Sequence, residues 1–478
     1  MRIWNTLSGK KEELIKPEGR SLHLFVCGPT VYDYSHIGHA RTYIAYDAFV
    51  RYVREKNWEV FYLQNITDVD DKIINRAKSE NKKPGTVAKF FTQAHLDDMR
   101  ALGIDTVDKY APASHFIPQI VKQVETLKKK GFAYEIPGDG IYYDITKFQD
   151  YGKLSHRTTL QAEDAVSRID ESVKKRNKGD FVLWKFPKTP IAEKLFSSLR
   201  RFTHTRDGEP AWKTPLGWGR PGWHIEDTAI TESFFGPQYD IHGGAVELKF
   251  PHHEAEIAQQ EAASGISPLV KVWMHTGLLT INGQKMSKSL KNFISIRDAL
   301  EKHSPAVLRW FFLNHHYRMP MNYSPEDIGQ TKAVYNKTRI FLDKMDFVSK
   351  GSEGKKLGMD KFILESRKKF EGALEDDFNT PLAISVLLGT MGEFQERIWS
   401  MEPSEAREME KHLADSFKTL GIDIKTEEVP QNVKKLAIER ELSRTNKQFV
   451  QSDALREKIR VLGYGIEDTP HGPFVYKE

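Results

Sequence analysis

A thiol at Cys27 and two imidazoles at His36 and His39 stand close together near the start of the chain, within residues 22–39. The imidazoles are three residues apart, so on an opening helical turn both can face one phosphate. The thiol comes just before Gly28-Pro29, where an apolar run stops. A second concentration lies at 240–256. There His252 and Glu256 are four apart, on one face of a helix that Pro251 is suited to begin. One imidazole and one carboxylate make half of a metal site, and alone they describe a solvated helix face equally well. Cys27 and Asp227 are the groups that other strand ends could add. A third group lies at 283–293, where Lys285 and Lys288 flank Met286-Ser287, with Gly283 as a hinge. Such a cationic loop can close on a transferring phosphate, although an isolated basic surface loop would look the same.

These side chains need elements to hold them. An apolar run at 22–26, a helical pattern at 38–56 and a second apolar run at 60–66 form a β-loop-α-β unit. In an open parallel sheet, ligands bind beyond the carboxyl ends of the strands, where a helix N-terminus offers unpaired N–H groups. By that logic Thr67, at the end of the second strand, can face the same cleft as Cys27. Taken alone, the simpler expectation is that Thr67 and Asp68 cap a helix over 72–77. The stretch 218–227 is Gly-rich and carries Trp218, Trp223, His224, Glu226 and Asp227; glycines permit close approach and a tryptophan can wall a small pocket.

Between about 120 and 202 the texture changes to a helix at 121–130, an alternating run at 140–144, a charged run at 174–178 and a strand at 180–185. This is an insertion between two halves of a nucleotide-binding fold, and its basic cluster suits a solvated loop. Beyond 322–324 the pattern is helical at 332–348, 360–374, 382–399 and 405–419, an antiparallel bundle with a flexible link at 350–357. The closing segment 432–478 has a long helical run broken before Ser452, a shorter helix at 454–461 and a terminal turn at Gly463. Arg456 and Arg460 share a helix face that suits RNA or solvent alike.

A chain of 478 residues can hold about three domains. Cys27 is its only cysteine, which excludes an intrachain disulfide and fits a reducing cytosol. The net charge of +5 permits a polyanionic partner without demanding one. The first residues lack the apolar core of a signal peptide and no stretch is long and apolar enough to span a bilayer, so a cytoplasmic location is expected.

His36-Ile37-Gly38-His39 followed far downstream by Lys285-Met286-Ser287-Lys288-Ser289 resembles the paired HIGH and KMSKS motifs of class I aminoacyl-tRNA synthetases. The stretches 27–33, 65–72, 222–226, 250–254, 376–381 and 466–470 resemble the cysteinyl-tRNA synthetase family in particular, nearly end to end. The resemblance implies an α/β fold: a Rossmann-like parallel-sheet catalytic domain (1–120 and 206–270) with an inserted α+β connective subdomain (121–205). A KMSKS-loop and stem-contact region (271–325), an all-α tRNA-binding helical bundle (326–428) and a small C-terminal anticodon-binding domain (429–478) would follow.

The resemblance also implies ATP-dependent ligation of L-cysteine to its tRNA through cysteinyl adenylate, by a monomer with no membrane partner. It assigns His36, His39, Lys285 and Lys288 to catalysis and ATP, Gly243 and Gly244 to adenine, Glu247 to the ribose, and Cys27, Gly28, Thr67 and Trp223 to the amino acid. One Zn²⁺ would be held by Cys27, Asp227, His252 and Glu256, and Mg²⁺ would accompany ATP. The family commonly has cysteine where this chain has Asp227, which keeps the unit negative charge of a thiolate but is a harder ligand. Two alternatives stand beside this reading: a paralogue that activates cysteine identically but passes it to an amino-sugar, expected to lack a region like 326–478, and a non-catalytic tRNA-binding paralogue, expected to lose His36, His39 or the loop lysines, all of which are present.

Overall fold

The computed structural model describes residues 1–157, 174–191, 202–205, 207–287, 290 and 292–478. They form two compact units, Met1–Lys302 with Tyr317–Asn322, and His303–His316 with Tyr323–Glu478.

The first unit is built on a five-stranded parallel sheet. Its elements in chain order are β1 (Leu22–Val26), helix α1 (Ile37–Glu55), β2 (Val60–Ile66), β3 (Lys109–Pro112), helix α2 (Trp223–Phe235), β4 (Tyr239–Ala245), helix α3 (His252–Ser264) and β5 (Val270–Thr276). The spatial order is β5-β4-β1-β2-β3 and every pairing is parallel. Four of the strands are almost wholly buried, as a sheet covered on both faces requires, while the edge strand β3 has only Ala111 buried. From β1 the chain proceeds one way to β2 and β3, while β4 and β5 lie on the other side. The crevice between β1 and β4 is therefore the switch point at which such sheets bind ligands.

Helix α1 can approach β4 closely because Gly243 has no side chain. A Cβ there would stand 2.5 Å from the Tyr46 ring. Tyr46 is fully buried; its hydroxyl accepts from the Gly244 N–H at 3.0 Å and donates to the Met274 carbonyl. One tyrosine thus ties α1 to both β4 and β5.

The inserted region forms a six-stranded antiparallel sheet with Ala133–Ile136, Gly140–Tyr143 and Phe181–Lys185 on one side, and Gly217–Pro221, Pro210–Thr214 and Phe202–His204 on the other. It extends past residue 205 to Pro221, which hands the chain directly to α2. Glu254 of α3 anchors this region: its carboxylate accepts from the N–H groups of Gly152, at 2.9 Å, and Ser155, at 2.8 Å.

Two local expectations are corrected. Thr67 and Asp68 do not cap the next helix, which runs Asp71–Ser79 with Asp70 accepting from the Lys72 N–H. Asp68 instead accepts from the N–H and hydroxyl of Ser114. The turn at Gly463, φ +83°, is present, and it leads into a β-hairpin, Tyr464–Thr469 with Gly472–Lys477, that the sequence reading did not include. Gly472, at φ +100°, permits its tight turn, and the strands are held by Arg440 on Asp468 and Lys344 on Glu467. The preceding helices are Gln431–Thr445 and Phe449–Val461, so the break falls before Phe449 and Ser452 is helical. The bundle of the second unit consists of Pro325–Ser349, Met359–Glu375, Thr380–Phe394 and Pro403–Thr419.

Gly243→Ala is expected to lower unfolding stability by about 1–3 kcal/mol, because the new Cβ displaces a tyrosine with both hydroxyl bonds made. Denaturant unfolding of the variant against the parent protein measures it.

Candidate active site and metal centre

Beyond the strand ends lies a cleft of about 540 Å³ whose walls include Cys27, His36, His39, Thr67, Trp223 and Lys285. His36 caps α1. Its Nδ1 accepts from the N–H groups of Gly38 (3.1 Å) and His39 (3.3 Å), while His39 Nδ1 accepts from the His36 N–H at 3.2 Å. This reciprocal cap satisfies otherwise unpaired helix N–H groups and leaves each Nε2–H as the free donor. The rings stack 3.8 Å apart. A Cβ at residue 38 would meet the His36 ring at 2.9 Å, so glycine is required there. Burial lowers the His36 pKa to about 4 and pushes that of His39 well below its usual value. Near neutral pH the turn therefore offers two uncharged donors.

The cationic loop is tied to this turn by backbone. The Ile37 N–H donates to the Ile294 carbonyl at 3.1 Å, the Ile296 N–H donates to the Ser35 carbonyl at 2.9 Å, and the Phe293 ring meets His36 edge-on. Asn292 links the two limbs, accepting from the Ser287 N–H (2.8 Å) and donating to the Lys285 carbonyl (3.1 Å). Lys285 Nζ lies 2.6 Å from Glu247, and both are largely exposed. Lys288 lies outside the described residues.

Four buried side chains meet between β1, α2 and α3. Cys27 Sγ is 3.4 Å from Asp227 Oδ2; His252 Nε2 is 3.0 Å from that same oxygen and 3.1 Å from Glu256 Oε1. Their ligand atoms all lie within 4.8 Å of one another. Asp227 and His252 are braced from behind, and His242 Nδ1 stands 3.6 Å from Glu256 Oε2. Asn65, at the end of β2, donates to Asp227 Oδ1 at 2.6 Å and accepts from the Gly28 N–H at 2.5 Å. Trp223 stacks on His252 with centroids 4.2 Å apart, and His224 Nδ1 sits 2.9 Å from His252 Nδ1. Neither oxygen of Glu256 receives a hydrogen bond.

Burial pushes the Cys27 thiol well up, and the carboxylates of Glu256 and Asp227 push it the same way; Glu256 is itself raised by burial and by Asp227. A cation among these donors would reverse both effects. The donor set, one sulfur, one imidazole and two carboxylates in a dry site, fits a borderline divalent ion such as zinc. His242 and His253 approach Cys27 Sγ from the other side, at 3.3 and 3.1 Å, and with Glu256 they complete a second group of possible ligands.

Gly243 and Gly244 end up behind the cleft wall rather than on it. Their backbones bond to Cys27, Tyr46 and Thr276, and a Cβ on Gly244 would meet His253. The wall beyond β4 is formed by 245–248, which includes Glu247. Gly28 must be glycine because a Cβ would overlap the Asn65 carbonyl. Sequence reasoning gave no site role to Asn65, Asn292, Tyr46 and the histidines 242 and 253, and noted His224 only within the stretch 218–227. The histidines carried a signal in their density around the residues singled out, and Asn65 in its place at the start of the stretch 65–72.

The model of the tRNA synthetases class I (C) catalytic domain matches residues 14–333, and that of the DALR domain matches 369–425. The chain is 42% identical over 471 residues to the cysteine–tRNA ligase of Thermoplasma volcanium, covering 98% of each chain. It is 39% identical over 487 residues to that of Coxiella burnetii, covering 99% of each. Among solved structures it is similar to a Mycobacterium tuberculosis methionyl-tRNA synthetase bound by methionyl-adenylate: TM-score 0.59, 13% identity, 84% of this chain and 90% of that one. A LeuRS–tRNA–LeuAMS complex of Agrobacterium radiobacter has TM-score 0.62 at 11% identity, covering 85% and 84%. Those two likenesses speak for the fold.

His36 and His95, both buried and both with pKa values near 4, make the first unit acid-sensitive. Between an unfolded value of about 6.5 and the folded value the unfolded chain binds more protons, so stability falls as pH drops through that window. The urea midpoint is expected to decline from pH 6.5 to 4, with a shallower slope for His95→Gln.

Proposed function

Because this chain belongs to the cysteine–tRNA ligase family, class I synthetases that join L-cysteine to tRNA with ATP, we propose that its cleft forms cysteinyl adenylate with Cys27, Asp227, His252 and Glu256 reading the thiol through zinc. The observation that carries the reading is the four-donor cluster, of which Cys27, Asp227 and His252 line the cleft that His36, His39 and Lys285 also line.

In the reaction the cysteine carboxylate attacks the α-phosphorus of ATP, brought with Mg²⁺, and pyrophosphate leaves. The Nε2–H donors of His36 and His39 meet charge developing on the phosphates without the desolvation penalty of a buried cation. Lys285 leaves Glu247 for the departing pyrophosphate, assisted by Lys288, and Glu247 is then free to accept from a ribose hydroxyl. Gly243 and Gly244 serve adenine indirectly, by letting Tyr46 and His253 set the wall at 245–248. Thr67 and Trp223 border the amino acid, and Gly28 keeps the wall beside Cys27 low. When bound, zinc supplies a borderline-soft Lewis acid that holds a thiolate far more tightly than a neutral hydroxyl, which an apolar pocket alone could not achieve for serine.

The region 326–428 reads the tRNA body and 429–478 its anticodon. The DALR match and end-to-end similarity to cysteine–tRNA ligases support tRNA rather than an amino-sugar as acceptor. In the small C-terminal part, Phe449 (63% exposed) and Val450 (88% exposed) follow Lys447 at a helix start, a surface suited to an unstacked base. The enzyme acts as a monomer. Among the described residues no helix is long and apolar enough to cross a membrane, and a lone thiol in the metal site suits a reducing cytoplasm.

Amino-acid-dependent ATP–pyrophosphate exchange tests the chemistry. Cysteine should support exchange and serine should not; chelator should abolish it and zinc restore it. Cysteine-specific exchange indifferent to the chelator would contradict the metal reading. Asn65→Ala, which frees Asp227, should weaken zinc affinity roughly 10–100-fold, measured by competition with a chromophoric chelator. Phe449→Ala should lower kcat/KM for tRNA about 5-fold or more, the equivalent of ~1 kcal/mol of lost stacking, and leave exchange unchanged.

A further inference from the structure

Arg41 is a charged side chain that the chemistry above leaves out. It lies on α1 just past the histidine pair, 3% exposed, and it lines the cleft. Burial lowers its pKa to about 10, so it stays a cation near neutral pH, yet no carboxylate among the described residues pairs with it. A buried arginine kept for charge balance would face an acid. Here the terminal N–H groups go to backbone instead. Nη1 donates to the carbonyls of Gly277 and Leu278, each at 2.7 Å, and Nη2 donates to those of Tyr317, at 3.3 Å, and Met319. The planar fork of a guanidinium fixes direction as well as distance, so the side chain holds two segments in one geometry.

Those segments are the roots of the hairpin that carries Lys285. Gly277 and Leu278 run into Leu279–Ile281, which pairs antiparallel with Gln284–Lys285 so that Thr280 stands opposite Lys285. On the other side, the Met321 N–H donates to the Leu278 carbonyl at 2.9 Å, and Asn322 Oδ1 accepts from the Gly283 N–H at 2.7 Å and the Thr280 hydroxyl at 3.1 Å. The roots touch at the point Arg41 grips: the Gly277 N–H donates to the Tyr317 carbonyl at 2.8 Å, and a Cβ on Gly277 would stand 2.3 Å from the Met319 carbonyl oxygen. Beyond the loop, 294–296 meets 35–37 through backbone. The stretch bearing Lys285 therefore rests on the start of α1 at both ends.

Resting on the reading of Lys285 as the group that meets the departing pyrophosphate, we propose that Arg41 is a positioning residue for adenylate formation: it clamps both roots of the hairpin and so sets where Lys285 stands relative to His36 and His39. Its effect reaches the chemistry through the strand 279–281 rather than by contact with the reacting atoms. A misplacement of about 1 Å is enough to cost on the order of 100-fold in rate. Lysine cannot replace it, because one ammonium cannot bridge the carbonyls of two segments as a guanidinium fork does.

Arg41→Met, Arg41→Lys and Lys285→Ala, with each Arg41 variant also combined with Lys285→Ala, test this in the full-length, zinc-loaded protein by ATP–pyrophosphate exchange. Either Arg41 variant is expected to lower the maximal exchange rate roughly 10–100-fold, to change the KM for cysteine less than about 2-fold, and to add less than about 2-fold once Lys285 is replaced. Groups that act as one unit are non-additive, whereas a general loss of packing multiplies with any other defect. Full multiplication of the two defects would overturn the proposal and leave the reading of Lys285 standing. Parent-like exchange in either Arg41 variant would overturn it too, and in Arg41→Lys it would show that charge alone suffices. Unchanged exchange in Lys285→Ala would overturn that reading and the proposal with it. The lysine variant keeps the cycle readable if the methionine variant does not fold.

Discussion

Three groups that ionise to anions, Cys27, Asp227 and Glu256, share one buried spot between β1, α2 and α3, and among the described residues no lysine or arginine answers them. Each uncompensated buried charge costs several kcal/mol, so the arrangement is stable only with protons or a divalent cation among the donors. Much of the first unit is arranged to sustain this conflict. Cys27 is fixed by the end of β1, Asp227 by the second turn of α2, and His252 and Glu256 by successive turns of one face of α3. Asn65 reaches from β2 to hold Asp227 and Gly28 at once, so two strands and two helices converge on one point.

The same economy governs the phosphate side. The two histidines of the α1 turn cap the helix with Nδ1 and keep Nε2–H for the cleft, so one motif provides both the helix start and the donors. The strand pairing of 35–37 with 294–296 joins that turn to the segment following the cationic loop. Movement of the loop is thereby referred to the histidines rather than to a distant surface. Tyr46, seated on Gly243, fixes α1 against β4, which keeps the histidine turn and the thiol cluster in constant register.

The β-loop-α-β unit was legible because its apolar runs are unbroken and its helix begins at a histidine pair; the strand 60–66 agrees residue for residue. The grouping of Cys27, Asp227, His252 and Glu256 was legible only through resemblance. Spacing reaches His252 and Glu256 on one helix, but nothing local in the chain announces that Cys27 and Asp227, two hundred residues apart, lie 3.4 Å from each other. Thr67 and Asp68 were misread as caps because side chains that favour caps are equally good partners for distant acids and hydroxyls. The terminal hairpin was missed because a short two-stranded piece has weak alternation and gains its stability from Arg440 and Lys344, residues far away in sequence. Asn65 opens one of the stretches that carry the family resemblance, but nothing in its type gave it a role, since an asparagine at a strand end usually marks a turn.

The most direct measurement is X-ray absorption at the zinc edge on the zinc-loaded protein, free and saturated with cysteine. The account predicts one sulfur among nitrogen and oxygen neighbours in the free protein, rising to two sulfurs with cysteine and remaining at one with serine. A shell without sulfur, or one that cysteine leaves unchanged, would contradict it.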